Sequence, residues 1–458
     1  MSLFWYALWF VVAVGLLVTV HEFGHFYLAR RLGFRVLRFS VGFGKPLVKW
    51  TAGPDAIEYV IAAVPLGGYV KLLDEREGPV EPRELPRSFT RRPHWQRIAV
   101  LLAGPASNIL FAVLLLWGMF WVNGVSEVRP VVGDVTTGSV AAAAGLKSGD
   151  EIRAVNGGAV QGIRDVVFDL LDAMSARGEA DLKVRGTDGS AREARLVVAD
   201  PDTRRRLTEP SELLRGLGFQ FWPPVPAVLG QVEAGGPAAR AGLASGDEIV
   251  SIDGAPVANF HDIIARISAH PGERVTVDYR RGGAPHSAEV QVASDDVAGK
   301  RVGRIHVMQP PAATRTYPPS MLLHTDLTAG AALSRAGAEA WNMTVLQARL
   351  FWRMVLGRVS LKNLSGPLSI AEFAGDSAEA GVSAFLGFLV LISLSLGFLN
   401  LLPIPILDGG QIAFQLIEWL KGSPLSERTQ AFGQQVGIAL LIVLMGVALY
   451  NDIARQFG

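Results

Sequence analysis

Four stretches of this sequence are each long and apolar enough to form a helix across the hydrocarbon core of a bilayer, which takes about 20 residues. They run over 3–28, 98–122, 384–402 and 433–450, and the last has the shortest strictly apolar part. Outside them the chain is ordinary water-soluble sequence, so that the whole is 50% hydrophobic and 19% charged with a mean hydropathy of +0.30. That balance is apolar for a soluble protein and polar for a transporter of many spans. It predicts a polytopic α-helical membrane protein of about four spans with a large insertion in water.

The first stretch, MSLFWYALWFVVAVGLLVTV, has no positively charged start and no clear small-residue cleavage site, and reads as a retained span. Arginine and lysine then set orientation. Residues 30–97 hold 13 of them and residues 1–29 hold none, which places the loop between spans one and two in the cytoplasm and the N-terminus outside. By alternation the long segment between spans two and three is extracytoplasmic, as is the C-terminus. A formal net charge of +1 and the lack of a long basic run with interleaved aromatics give no reason to expect nucleic acid. The absence of cysteine excludes disulfides and thiolate-ligated zinc.

The long extracytoplasmic segment repeats itself. Residues 133–160 align without a gap onto 230–257, with 15 of 28 positions identical, so two copies of one small α+β domain are expected. Their shared AGLxSGDEI resembles the PDZ signature, with turns predicted at Asn156-Gly157 and Asp253-Gly254. Gly216, Leu217, Gly218 and Phe219, just ahead of the second copy, read either as its peptide-binding loop, leading to a strand edge that captures an extended peptide or a new C-terminus, or as a glycine-rich strand entry. Residues 56–73 are β-branched and aromatic but interrupted by Pro65 and Gly67-Gly68, and predict a membrane-associated hairpin. Residues 328–356, with mixed apolar and basic faces, predict an interfacial amphipathic helix.

Chemistry enters at the end of the first span with His21-Glu22-Phe23-Gly24-His25, an HExxH motif. On a helix, positions i and i+4 share a face, so two imidazoles can reach one Zn2+ while Glu22, one step round, can approach a water bound to it and act as general base. Ionisable groups at the margin of a span cost a few kcal/mol each unless paired or ligated, which makes function their default reading. A third ligand is expected from elsewhere in the membrane part. The segment NLLPIPILDGGQ, 400–411, presents Asp408 after Pro403 and Pro405, and Asp408 is the sole carboxylate between Glu379 and Glu418. Its alternative is a turn aspartate in a DG pair. Spans one and three both run inward, so His21, His25 and Asp408 fall toward the same, cytoplasmic, side.

HEFGH in a first span, VPLGGYVKL at 64–72, AGPASNI at 103–109, the two PDZ-like repeats, NLSGPLSIA at 363–371 and LDG after an NxxPxP run together resemble the site-2 intramembrane zinc metalloproteases, in their bacterial regulator of sigma-E protease branch. The resemblance implies one zinc per chain held by His21, His25 and Asp408, with Glu22 as base. It implies Asn400 as a polar contact to substrate and the strand through Gly67, Gly68, Tyr69 and Val70 as an edge that holds substrate. The implied substrates are single-span membrane proteins such as an anti-sigma factor, and signal-peptide remnants, in the bacterial inner membrane. The sequence departs from the family pattern at Gln411, where a histidine often follows the DGG.

These readings divide the chain into a first span with HExxH (1–30), a cytoplasmic loop with the hairpin (31–97), span two (98–122), PDZ-like domains (127–205 and 214–307), the amphipathic helix (325–360), span three with the LDG motif (384–410) and span four (431–451). Two other readings compete: a non-catalytic membrane-anchored PDZ scaffold, and a zinc transporter. A scaffold has no need of Glu22 between two ligand histidines, and a transporter needs more polar residues along its spans than these offer.

Overall fold

Each of the four apolar stretches is a helix in the computed structural model, which describes residues 3–222, 225–257, 259–297, 300–310 and 317–457. The chain divides into two compact units. The first, Met1–Val125 with Thr208–Pro210 and His324–Gly458, contains all four.

In that unit, helix α1 (Leu3–Arg31) is followed by strands β1 (Val36–Ala52) and β2 (Ile57–Leu72) and then by α2 (His94–Asn123). Many apolar side chains on these helices stay exposed, Phe4, Leu110 and Val122 among them, as a lipid-facing surface requires. Where α1 and α2 meet, small residues let the backbones approach. A Cβ on Gly24 would stand 2.3 Å from the Ala103 carbonyl oxygen, and Ser107 Oγ donates to the Val20 carbonyl at 2.8 Å.

The two strands form more than the hairpin expected at 56–73. Residues 36–41 run against 68–72 on one side and residues 38–41 lie beside 58–61 on the other, while 48–52 turn back along 57–61. Strand β2 therefore contributes two segments that flank the start of β1, and the expected hairpin is half of a larger sheet. The inner end of that sheet closes a small core around Phe34, Val36 and Ile57 beneath Phe26 and Ala29 of α1.

After the second unit the chain continues as α3 (Ala329–Val355), α4 (Pro367–Glu379), α5 (Val382–Asn400), α6 (Asp408–Lys421) and α7 (Glu427–Phe457). Helix α3 occupies the expected amphipathic segment. It packs Ala332, Ala336 and Ala340 against Ala112 and Leu116 of α2 and leaves Trp341 and Trp352 exposed. Helix α5 ends at Asn400, so the LDG aspartate lies outside the third span and opens a separate 14-residue helix that the sequence reading did not anticipate.

The second unit, Ser126–Leu207 with Ser211–Leu323, holds the repeats. Each contains a four-stranded antiparallel sheet of the same order: Gly158–Ala159, Glu151–Val155, Glu179–Arg185 and Ala191–Val197 in the first, Ala255–Pro256, Glu248–Ile252, Arg274–Arg281 and Ala284–Gln291 in the second. The predicted turns are present, with φ of 50° at Asn156 and at Asp253 and 83° and 75° at the glycines that follow. Positive φ at both central residues gives the twist that joins two antiparallel strands tightly.

One expectation is corrected here. The Gly216–Phe219 segment does not serve the second copy. Its strand, Phe219–Phe221, pairs with Val132–Val135 of the first copy, and Leu217, Phe219 and Phe221 lie in the first copy's core. The carbonyl of Gly218 already accepts from the Thr136 backbone N–H and from Ser139 Oγ. Each copy is thus closed by a strand from its own end, since residues 306–308 pair in the same way with 230–233 of the second.

Candidate active site

Helix α1 places His21, Glu22 and His25 on successive positions of one turn, all three buried. Asp408 reaches them from the first residue of α6. His21 Nε2 lies 3.2 Å from Asp408 Oδ2, His25 Nε2 3.5 Å from the same oxygen, and the two Nε2 atoms are 3.2 Å apart. Ligands held tetrahedrally at about 2.0–2.1 Å from zinc are separated from one another by about 3.3–3.4 Å. The three donor atoms therefore form one face of a zinc-sized tetrahedron. Asp408 Oδ2 is buried without a hydrogen-bond donor, the state expected of an oxygen that awaits a cation.

The backs of both imidazoles are held by α2. His25 Nδ1 is 2.7 Å from the Val100 carbonyl, to which it donates, leaving Nε2 as a lone pair. His21 Nδ1 lies 3.2 Å from the Asn108 amide, and Asn108 Oδ1 is otherwise buried without a partner. With Nε2 turned to Asp408, Nδ1 carries the proton and needs an acceptor. The Asn108 amide supplies it when its oxygen faces the ring, and that orientation satisfies both groups at once. Between these anchors Gly104 is pressed onto the rings: a Cβ there would be 2.1 Å from His25 Nε2 and 2.8 Å from His21 Cε1. Gly104 and Asn108 lie in AGPASNI, which the sequence reading noted without a role. The signal available was a Gly-x-x-x-Asn spacing on a span, which places both on one helix face.

Asp408 is delivered by a turn that the prolines create. After Asn400 the backbone folds back through short bonds, Ile404 N–H to the Leu402 carbonyl at 2.7 Å and Leu407 N–H to the Ile404 carbonyl at 2.8 Å. Gly409 and Gly410 are required for the return, because a Cβ on either would lie 2.2 Å from a carbonyl oxygen, of Leu401 or Ile404. Gln411 Nε2 donates to the Pro405 carbonyl at 2.7 Å. The residue that departs from the family pattern thus closes the turn that aims Asp408.

Glu22 faces the sheet. A Cβ on Gly68 would stand 2.8 Å from Glu22 Cγ and 2.7 Å from the Ser40 carbonyl, so the middle of β2 passes directly beside this carboxylate. Gly67 stacks against the Phe43 ring and Tyr69 OH accepts from Arg38; Val70 packs with the core under α1. Asn400 is half-buried at the end of α5, one turn beyond Gly397, which rests on Pro105 and Asn108 of α2. The site thus gathers His21, Glu22, His25, Asp408 and the strand through Gly67–Val70 in one unit, whereas Gly216–Phe219 belongs to the other.

A buried metal-sized triad beside a carboxylate invites comparison with known proteins. The profile of peptidase family M50 matches residues 9–444. The chain belongs to peptidase family M50. It is 38% identical over 458 residues to the "Regulator of sigma-E protease RseP" of Escherichia coli, covering 99% of this chain and 100% of that one. It is equally 38% identical over 470 residues to the "Protease RseP" of Yersinia pestis, with the same coverage. A candidate zinc metalloprotease of Neisseria meningitidis is 36% identical over 460 residues, covering 98% of this chain and 99% of the other. The M50 protein is accordingly a zinc metalloprotease of the site-2 type, in the regulator of sigma-E protease branch.

Proposed function

We propose that this M50 protein cleaves single-span membrane proteins within or near their transmembrane segment, with an anti-sigma factor as a substrate, using a zinc ion held by His21, His25 and Asp408. The observation that carries the reading is the three-atom face, with edges of 3.2 to 3.5 Å, set beside Glu22 at the margin of a span. Zinc bound by two imidazoles and a carboxylate polarises a water and lowers its pKa to about 7.

The remaining work falls to the chain. Glu22 accepts the proton of the attacking water and returns it to the leaving amine. A transmembrane helix hides its carbonyls in backbone hydrogen bonds, so the substrate must be drawn out before attack. The β2 edge at Gly67, Gly68, Tyr69 and Val70, held beside Glu22, accepts that extended segment by strand addition, and Asn400 gives it a polar contact. Enzyme and substrate meet in the bacterial inner membrane, with the catalytic side toward the cytoplasm and both termini outside. The name of the E. coli relative, a regulator of sigma-E, supports an anti-sigma factor as the partner.

Glu22→Gln tests the reading. It should abolish cleavage of a reconstituted single-span substrate while zinc remains bound, and a variant that still cuts would remove Glu22 from its role. The two PDZ-like repeats filter substrates by the size of their outer domain or present a trimmed C-terminus. Deletion of residues 127–305 should therefore release cleavage of an untrimmed substrate; unchanged discrimination would refute the filter.

A further inference from the structure

The first unit holds a second buried polar cluster that the chemistry above does not use. Arg97, on the first turn of α2, and Glu418, near the end of α6, are only 8% and 5% exposed, and Arg97 Nη1 lies 3.7 Å from Glu418 Oε2. The other oxygen of Glu418 accepts from the Leu425 backbone N–H at 3.0 Å and from Gln430 Nε2 of α7 at 3.3 Å. Gln430 Oε1 in turn accepts from Arg76, whose guanidinium grips Asp74 at 2.6 Å just past the end of β2. One carboxylate on α6 thus gathers bonds from α2, from α7 and, through Gln430, from the segment that leaves the sheet.

Burying two charges is expensive, and a buried pair contributes little net stability over apolar packing of the same shape. What such a pair does well is set register between two elements. Here the two elements are the ones that build the metal site. Arg97, Gly104 and Asn108 recur at spacings of 7 and 4 on one face of α2; Gly104 presses on both histidines and Asn108 meets His21. Helix α6 carries Asp408 at its start and Glu418 ten residues on, about 15 Å along the axis. Its N-terminal end is seated by Gly409 and Gly410 against the turn, but that contact leaves the far end of the helix undetermined.

We propose that the Arg97–Glu418 pair is a positioning element of the metal centre. It fixes how far along and at what rotation α6 lies on α2, and so holds Asp408 Oδ2 at the distance from His21 and His25 that a zinc ion needs. The inference rests on the zinc reading above.

The test uses the full chain in detergent, with zinc affinity measured by chelator competition, coordination followed by the d–d spectrum of the Co2+-loaded protein, and thermal unfolding recorded without metal. Glu418→Gln and Arg97→Gln should each weaken zinc about tenfold and alter the Co2+ spectrum, as disturbed outer contacts of metal ligands do. The double variant, which leaves no charge unpaired, should recover most of that loss. Single variants that hold zinc within about twofold of the parent, with the parent Co2+ spectrum and only a lowered unfolding temperature, would overturn the proposal by showing that the pair serves the fold alone. Should either glutamine variant fail to fold, Arg97→Lys keeps the charge but loses the fork, and an unchanged zinc affinity there overturns the proposal equally. His25→Ala separates this from the reading beneath it, for if that variant keeps zinc at parental affinity the metal lies elsewhere and both fail.

Discussion

Gly104 of α2 lies so close to His25 of α1 that a single added carbon would stand 2.1 Å from the imidazole Nε2. The atom it would displace is one of the three donors, so a methyl group here does more than crowd a helix interface. Gly104→Ala should lower zinc affinity about a hundredfold, at the upper end of what outer contacts of a metal site contribute. Chelator competition on the purified variant reads this directly, and zinc binding at parental strength would show that α2 yields instead of His25.

The strand beside Glu22 offers a second, separable lesion. A Cβ on Gly68 meets the Ser40 carbonyl at 2.7 Å and Glu22 Cγ at 2.8 Å, so Gly68→Ala must push β2 away from α1 or turn the carboxylate. Neither motion touches His21, His25 or Asp408. The variant should retain zinc while kcat/KM for a single-span substrate falls about a hundredfold, the usual cost of a misplacement near 1 Å. Loss of zinc in step with activity would contradict this division of labour.

Much of this arrangement is legible in the sequence because it is local. HExxH declares its geometry through helical spacing alone, and the turns at Asn156-Gly157 and Asp253-Gly254 declare theirs through residues that tolerate positive φ. Asp408 is legible by scarcity, as a lone carboxylate after two helix-breaking prolines. What stays hidden depends on partners distant in sequence. Nothing in AGPASNI says that Gly104 faces two histidines some 80 residues earlier, and the closing strand of the first repeat, Phe219–Phe221, pairs with Val132–Val135 rather than with the copy it precedes. Helix α6 escaped notice because its apolar positions follow directly on an apolar span, and only the fold shows that the chain turns between Leu401 and Leu407.

Acid should unfasten the second repeat at one identifiable carboxylate. Burial alone would raise the pKa of Asp247, but two hydrogen bonds from Arg281 and one from the Ala244 backbone N–H outweigh it, and the folded-state pKa lies below the ordinary carboxylate value. A depressed folded pKa means that the stabilisation is complete above the unfolded value, near 3.8 to 3.9, and is lost as pH falls through the folded one. Asp247→Asn should therefore increase hydrogen exchange in the strand Glu248–Ile252 at neutral pH, and the difference from the parent should vanish as pH drops below about 4. A difference that persists undiminished in acid would assign the effect to packing instead of charge.

The long chain interval inside the metal site carries a consequence in time. Asp408 follows His25 by 383 residues (408 − 25), and at synthesis rates of about 5–20 residues per second the two histidines wait roughly 20 to 75 s for their carboxylate. During that interval α1 is already seated in the membrane beside other newly inserted spans. A centre divided in this way stays inert until two further helices have followed, so the nascent chain cannot cut its neighbours at the insertion site.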